Sequence, residues 1–147
     1  MYLKVPPRIK VLEALGAIAD GRVRVHGNRA EVTSSEGDKV YRVCVDLEKG
    51  IANSTDNGTR FRSYVGYPII AVLMLRGALP YDPSLAQALK GIPWKKLNEK
   101  YKKYAKVMEL IFEDLEKKGI ERERVEEFID KVIEGLKRIH LRKAWCD

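Results

Sequence analysis

From Val45 to Ile139 the chain contains neither a cysteine nor a histidine. Whatever folds over that stretch has no disulfide, no thiolate or imidazole metal ligand, and no Cys/His nucleophile. It must be held by buried apolar surface alone. The chain can supply that surface: 45% of its 147 residues are hydrophobic, enough for one domain with a true core. The two cysteines, Cys44 and Cys146, are too few for a disulfide framework and suit reduced thiols in the cytoplasm. Met1–Pro7 breaks before an apolar run begins, so no export signal is expected, and the sequons at Asn53 and Asn57 carry no meaning without export. The longest apolar run, Pro68 to Leu75, is too short to span a bilayer, so no membrane partner is expected.

The periodicity sets out an α+β order. Ile9, Leu12, Leu15 and Ile18 recur at helical spacing after Pro6-Pro7, and Gly21 stops that helix. Strands are expected at 22–25, 30–34, 39–47 and 50–54. In the third, Tyr41, Val43, Val45 and Leu47 face the core, while Arg42, Cys44 and Asp46 face away. Asp56-Asn57-Gly58 reads as a tight turn, and Arg60–Tyr67 as a loop. Pro68 opens a helix apolar nearly all round, which must be buried, and Asp82-Pro83-Ser84 opens a shorter one. Two long amphipathic helices close the chain, Trp94–Lys118 and Glu121–Lys143, with Gly119 between them. So short a break predicts an antiparallel hairpin. The expected organisation is an α+β part over 1–93, a small antiparallel sheet with a buried ββα core, and a helical hairpin over 94–147 packed on it.

Tyr41-Arg42-Val43-Cys44-Val45-Asp46 and Ile69-Ile70-Ala71-Val72-Leu73 carry a further likeness. Over residues 29–79 the chain resembles the SWIM zinc-finger family, a ββα module. In that family a Tyr-x-Val-x-Val-Asp strand leads to Cys-x-Cys, then Cys-x-His, then a helix opening with Ile-x-Ala. Ala52 and Ser54 stand where the first pair belongs, and Gly66 and Pro68 where the second does. None of the four can bind zinc. The resemblance therefore implies a zinc-independent ββα unit without cofactor, and binding to nucleic acid or to other proteins.

Charge supplies the functional reading. A formal charge of +7 and a charged fraction of 33% favour polyanions and fit a thermophilic source. The first hairpin helix opens with Lys95, Lys96, Lys100, Lys102, Lys103 and Lys106. The second ends with Lys137, Arg138, Arg142 and Lys143, so antiparallel packing brings both basic segments to one pole. Glu113, Asp114, Glu116, Glu121, Glu123, Glu126 and Glu127 mark the other pole. Arg60 and Arg62 alternate with Phe61 and Tyr64, a pattern that meets single-stranded nucleic acid through stacking and phosphate contacts. The plainer alternative anchors Phe61 and Tyr64 in the core and leaves the arginines in water. Tyr101 and Tyr104 fall on the apolar stripe, and Trp94 and Trp145 are placed together at one end of the hairpin.

No P-loop, Gly-x-Ser-x-Gly, His-Glu-x-x-His or Rossmann glycine pattern occurs. The sequence thus points to a non-enzymatic module that binds nucleic acid with little sequence readout. Its rival is a protein–protein adaptor, subunit or homo-oligomer. An enzyme would need a deep pocket that gathers several acids.

Overall fold

The structure, a computed structural model, describes residues 1–147. Its elements run α1 (Ile9–Ala19), β1 (Val23–His26), β2 (Arg29–Thr33), β3 (Val40–Asp46), β4 (Ile51–Ser54), α2 (Asn57–Arg62) and α3 (Tyr67–Leu75). They continue with α4 (Pro83–Ala88), α5 (Trp94–Tyr101), α6 (Tyr104–Lys117), α7 (Arg122–Arg138) and β5 (Arg142–Lys143). The α+β class is as the periodicity indicates. The strands lie in the order β1-β2-β3-β4-β5, antiparallel through β4, with β5 parallel to β4.

Helix α3 organises the interior. From Pro68 to Met74 every residue is buried, as expected of a helix without a polar face. The sheet covers one side of it through β1, β3 and β4, and α1 covers the other, making β3, β4 and α3 a ββα unit. Arg76, just past its end, donates to the carbonyls of Val45 and Gly27 and fastens the helix to the sheet. Helix α1 in turn packs against α4 and α7, so it too is buried nearly all round. Its inaccessible positions include Glu13. Val107, Ile111, Phe112 and Leu115 of α6 and Val125, Ile129 and Val132 of α7 join the same apolar cluster as the sheet residues.

Several expectations are corrected. The long helix over 94–118 is two helices: Lys102 adopts a left-handed conformation, φ 55°, and Lys103 is extended. The two halves answer to different neighbours. α5 is fixed on α1 through Trp94 and Asn98, whereas α6 is fixed by its own buried stripe. The last helix stops at Arg138 rather than Lys143, because the chain leaves it to pair with β4. Arg142 N–H donates to Gly50 O (2.8 Å) and Ala144 N–H to Ala52 O (3.2 Å). Such a long-range pairing leaves no local trace. The same tail overturns the one-sided reading of β3, for Cys44 is 1% exposed. The Cys44 thiol donates to Ala144 O at 3.7 Å, and its sulfur accepts the Cys146 N–H at 2.9 Å. Burial and the neighbouring Cys44 push the Cys146 thiol up to about 12. Leu47, placed in the core by alternation, is exposed because β3 ends at Asp46.

The stretch 56–67 is no open loop. Asp56 caps α2 by accepting the Thr59 N–H at 3.1 Å, so Asp56-Asn57-Gly58 starts a helix rather than a hairpin turn. α2 ends at Ser63 in the left-handed region, φ 56°. The tryptophans are separated too. Trp94 is buried against α1, while Trp145 is exposed beside His26, Arg29 and Arg42 on the sheet. No helix is long and apolar enough to cross a membrane.

The α1–α5 contact is close enough to test. A side-chain carbon added at Gly16 would lie 2.7 Å from Trp94 Nε1 and 3.4 Å from Leu89 O. Helix propensity alone favours Gly16→Ala by about 1 kcal/mol. Overpacking against a buried indole opposes it by about 1–3 kcal/mol. The expected net result is a lower denaturation midpoint in urea, and a raised midpoint would contradict this packing.

Candidate functional site

Of the twelve basic residues singled out from the sequence, only Lys95 and Lys137 have a carboxylate partner. Lys95 reaches Asp38 at 2.8 Å and its own N–H donates to Ser35, tying α5 to the β2–β3 turn. That hydrogen bond, with one from Ser34, holds the Asp38 carboxyl down at about 2. Lys137 pairs with Glu134 one turn earlier. Lys143 is turned inward, donating to Arg60 O (3.0 Å) and Ser63 Oγ (3.2 Å), so it props α2 rather than facing solvent. Lys96, Lys100, Lys103 and Lys106 are exposed and unpaired, as are Arg138, Arg142 and Arg60. Of the seven acids expected at the far pole, only Asp114 and Glu126 are paired, and Glu113, Glu116, Glu121, Glu123 and Glu127 have no cationic partner. Lys118, Arg122 and Arg124 pair with Asp114, Glu109 and Asp82, and Arg8 takes Glu126 and Asp130.

Three of the predicted residues, Lys95, Lys102 and Arg62, are brought together on the lining of one cleft of about 610 Å³. The cleft opens where α1, α2, α5 and the β2–β3 turn meet. Its lining includes side chains that sequence reasoning passed over. Lys10 and Glu13, one turn apart on α1, form a 2.8 Å ion pair with side chains 12% and 4% exposed. Asn98 Nδ2 donates to Glu13 Oε1 at 3.0 Å. Arg22 is held by Asp20 and by Thr33 O, at 3.0 and 2.7 Å. Tyr41 of β3 meets Tyr67 of α3 edge to face, ring centres 6.2 Å apart. Tyr104, expected in the core, is 40% exposed, and the Lys10 ammonium lies 5.0 Å from its ring centre. The break at Lys102 rotates Tyr104 off the stripe that a continuous helix would give it. Phe61, which the plainer reading anchors in the core, is 68% exposed on the lining of the same cleft.

The polar atoms of this region are unusual in one respect. Five side chains carry a buried polar atom without a hydrogen-bond partner: Glu13, Arg22, Asp56, Trp94 and Asn98. All five line this cleft. Glu13 Oε2 is the mildest case, since the Lys10 ammonium balances its charge without hydrogen-bond alignment. Asp56 is the sharpest: it is 6% exposed, and its Oδ1 has no partner. An unmatched buried polar group costs about 1–3 kcal/mol. Native folds keep few of them, and here they are concentrated on one cleft, where water or a polar ligand would have to supply their partners.

Protonation favours anions. Burial pushes the Tyr67 and Tyr64 hydroxyls well above the ordinary phenol value, against Arg22 and Lys10 respectively, and it raises Tyr41 as well. All three therefore remain hydrogen-bond donors in neutral solution. For Lys10, burial alone would lower the ammonium, but the Glu13 carboxylate outweighs it and the net shift is upward. Lys39, Arg62 and Lys102 line the cleft as exposed cations without a carboxylate partner. No three His, Cys, Asp or Glu side chains converge where a metal could sit.

One signal could have revealed the floor. Between Ile9 and Ile18, an otherwise apolar run, Lys10 and Glu13 are the charged exceptions and lie on one side of the helix. Their partner Asn98 is 85 positions from Glu13, beyond the reach of local pattern.

The buried pair makes a stability prediction. Lys10→Met strands the Glu13 carboxylate and should cost about 3–5 kcal/mol, while Lys10→Met/Glu13→Leu should recover most of that loss in chemical denaturation. Because folding raises the Lys10 value, its contribution is complete below the ordinary 10.5 and is lost as pH rises through the higher folded value. A double variant as unstable as the single one would contradict the pairing.

No curated protein and no solved structure matches the chain. A family model matches residues 3–142, which takes in the sheet, the cleft and both hairpin helices, and the chain belongs to the family described as Uncharacterised conserved protein UCP014422.

Proposed function

We propose that this protein is a binding module for single-stranded nucleic acid, in which the cleft and its rim of free cations form the contact surface. The observation that carries the reading is the pairing pattern: Lys39, Arg62 and Lys102 line a cleft of unsatisfied polar groups and are themselves uncompensated. Cations that serve stability in a charge-rich protein find carboxylates, as Arg8, Lys118, Arg122 and Arg124 do. Cations left free beside exposed Phe61 and Tyr104 suit phosphates and stacked bases. The module acts by binding, without catalysis, and affinity comes mainly from release of counterions.

This reading moves the contact surface from the hairpin pole to the cleft. Lys96, Lys100, Lys103 and Lys106 lie outside the cleft lining, while Lys95, Lys137 and Lys143 are occupied within the fold. A protein-docking reading rests on a different place, exposed Trp145 beside the edge strand β1. Concentration-dependent dimerisation that Trp145→Ser abolishes would favour it.

Fluorescence anisotropy with a labelled oligoribonucleotide tests the main reading. Three phosphate contacts predict a log–log salt slope of roughly −2 for a single strand. Arg62→Glu/Lys102→Glu should weaken binding by about tenfold or more and flatten that slope by roughly 1.4. Binding indifferent to salt, or unchanged in the double variant, would refute it.

A further inference from the structure

The cleft has two chemically distinct parts, and the second is unused by phosphate binding. At its rim are the free cations; deeper in stands Asp56, more than nine-tenths buried, with no Lys or Arg within ion-pairing distance and with Oδ1 unpartnered. Its other oxygen is committed to the Thr59 N–H as the cap of α2. Two more acceptors on the same lining lack a full set of partners, Asn98 Oδ1 and Glu13 Oε2. The walls between are aromatic, from Tyr41, Tyr64 and Tyr67. A ligand that satisfies both parts is anionic at one end, flat in the middle, and rich in N–H donors at the other.

We propose that the cleft is a site for one guanosine phosphate unit, its phosphate at Arg62 and Lys102 and the N–H edge of its base toward Asp56. This rests on the strand-binding reading only for the role of the rim cations. The choice among bases follows from the acceptors. Guanine presents a ring N–H and an amino group side by side, so a carboxylate meets donors alone. Adenine, cytosine and uracil each set an acceptor lone pair beside their donor, which a buried carboxylate repels. A site built around an unpaired buried acceptor discriminates most strongly against ligands that fail to pair it. The volume, about 610 Å³, lies within the range of small-molecule sites.

Calorimetric titration of the full chain tests this with guanosine 5′-monophosphate, adenosine 5′-monophosphate, guanosine, ribose 5-phosphate and inorganic phosphate as separate ligands. The guanine nucleotide should bind about tenfold or more tighter than each of the others. Asp56→Asn keeps a good helix cap, so its melting temperature should hold while the guanine preference collapses and ribose 5-phosphate binding is unchanged. Arg62→Glu/Lys102→Glu should weaken all four phosphate-bearing ligands and leave guanosine alone. Equal affinity for guanine and adenine nucleotides in the wild-type protein overturns the proposal, whether or not the Asp56 variant folds. So does a guanine preference that survives in a folded Asp56→Asn protein.

Competition against a labelled oligoribonucleotide separates this inference from the broader one. Oligonucleotide binding without mononucleotide binding overturns the guanine site and leaves the strand reading standing. Selective guanine nucleotide binding without any oligonucleotide binding has the opposite consequence: a free nucleotide, rather than a strand terminus, is then the ligand.

Discussion

A helix with no polar face must be covered on every side, and the rest of this architecture follows from how α3 meets that demand. One sheet face cannot enclose a cylinder, so α1 closes the far side. α1 is then itself enclosed by α4 and α7, and whatever charge its sequence carries is enclosed with it. Glu13 is the result: a buried carboxylate, balanced by Lys10 on the same helix and bonded by Asn98 from α5. The cleft floor is thus a direct consequence of core packing. Its polar groups sit where they do because the helix that bears them had to be buried.

Closure of the sheet edge has a similar logic. β4 is buried along its whole length and needs a partner on its open side. The chain provides one from its far end, β5, which the N-terminal residues flank: Leu3 N–H donates to Leu141 O and Lys143 N–H to Met1 O. Both chain ends are therefore structural. The same closure turns Lys143 toward α2, where it holds Arg60 O and Ser63 Oγ and so steadies the helix that carries Asp56, Phe61 and Arg62. Rigid support of that kind is what a binding constellation needs.

The parts of this fold that depend on local pattern were legible in the sequence. The all-apolar run at 68–75 and the stripe through Ile111 and Leu115 each identify an element and its buried side, and the alternation around Val43 identifies the strand but only one of its two buried sides. What was not legible depends on partners distant in the chain. A stripe unbroken from Leu97 to Leu115 gives no sign of a kink at Lys102, because the kink is set by what α5 and α6 each pack against. Cys44 reads as outward-facing until a tail a hundred residues later lies over it. For the site, the cations Arg62, Lys95 and Lys102 were visible as types, but not which of them would be spent on internal pairs. The cleft's acceptors were invisible for a related reason. Asp56 reads in the sequence as a turn residue and Asn98 carries no signal of its own, and only the enclosed geometry leaves their oxygens without partners.

Stability and function pull these residues in opposite directions, and the distribution of charge shows how the conflict is resolved. Around α7 the fold pairs its charges closely, from Arg8 with Asp130 at 2.7 Å to Arg122 with Glu109 at 2.9 Å. Such exposed pairs contribute little singly, at most about 1 kcal/mol each. Around the cleft Lys10, Arg22 and Lys95 are paired, while Lys39, Arg62 and Lys102 stay free and buried acceptors and donors are left unmatched. Each unmatched group lowers stability by more than a surface pair raises it. Asp56 and Asn98 both serve the fold, Asp56 as the cap of α2 and Asn98 as a donor to Glu13, yet each keeps one oxygen without a partner. A ligand that completes both sets at once, as proposed, would offset that cost on binding.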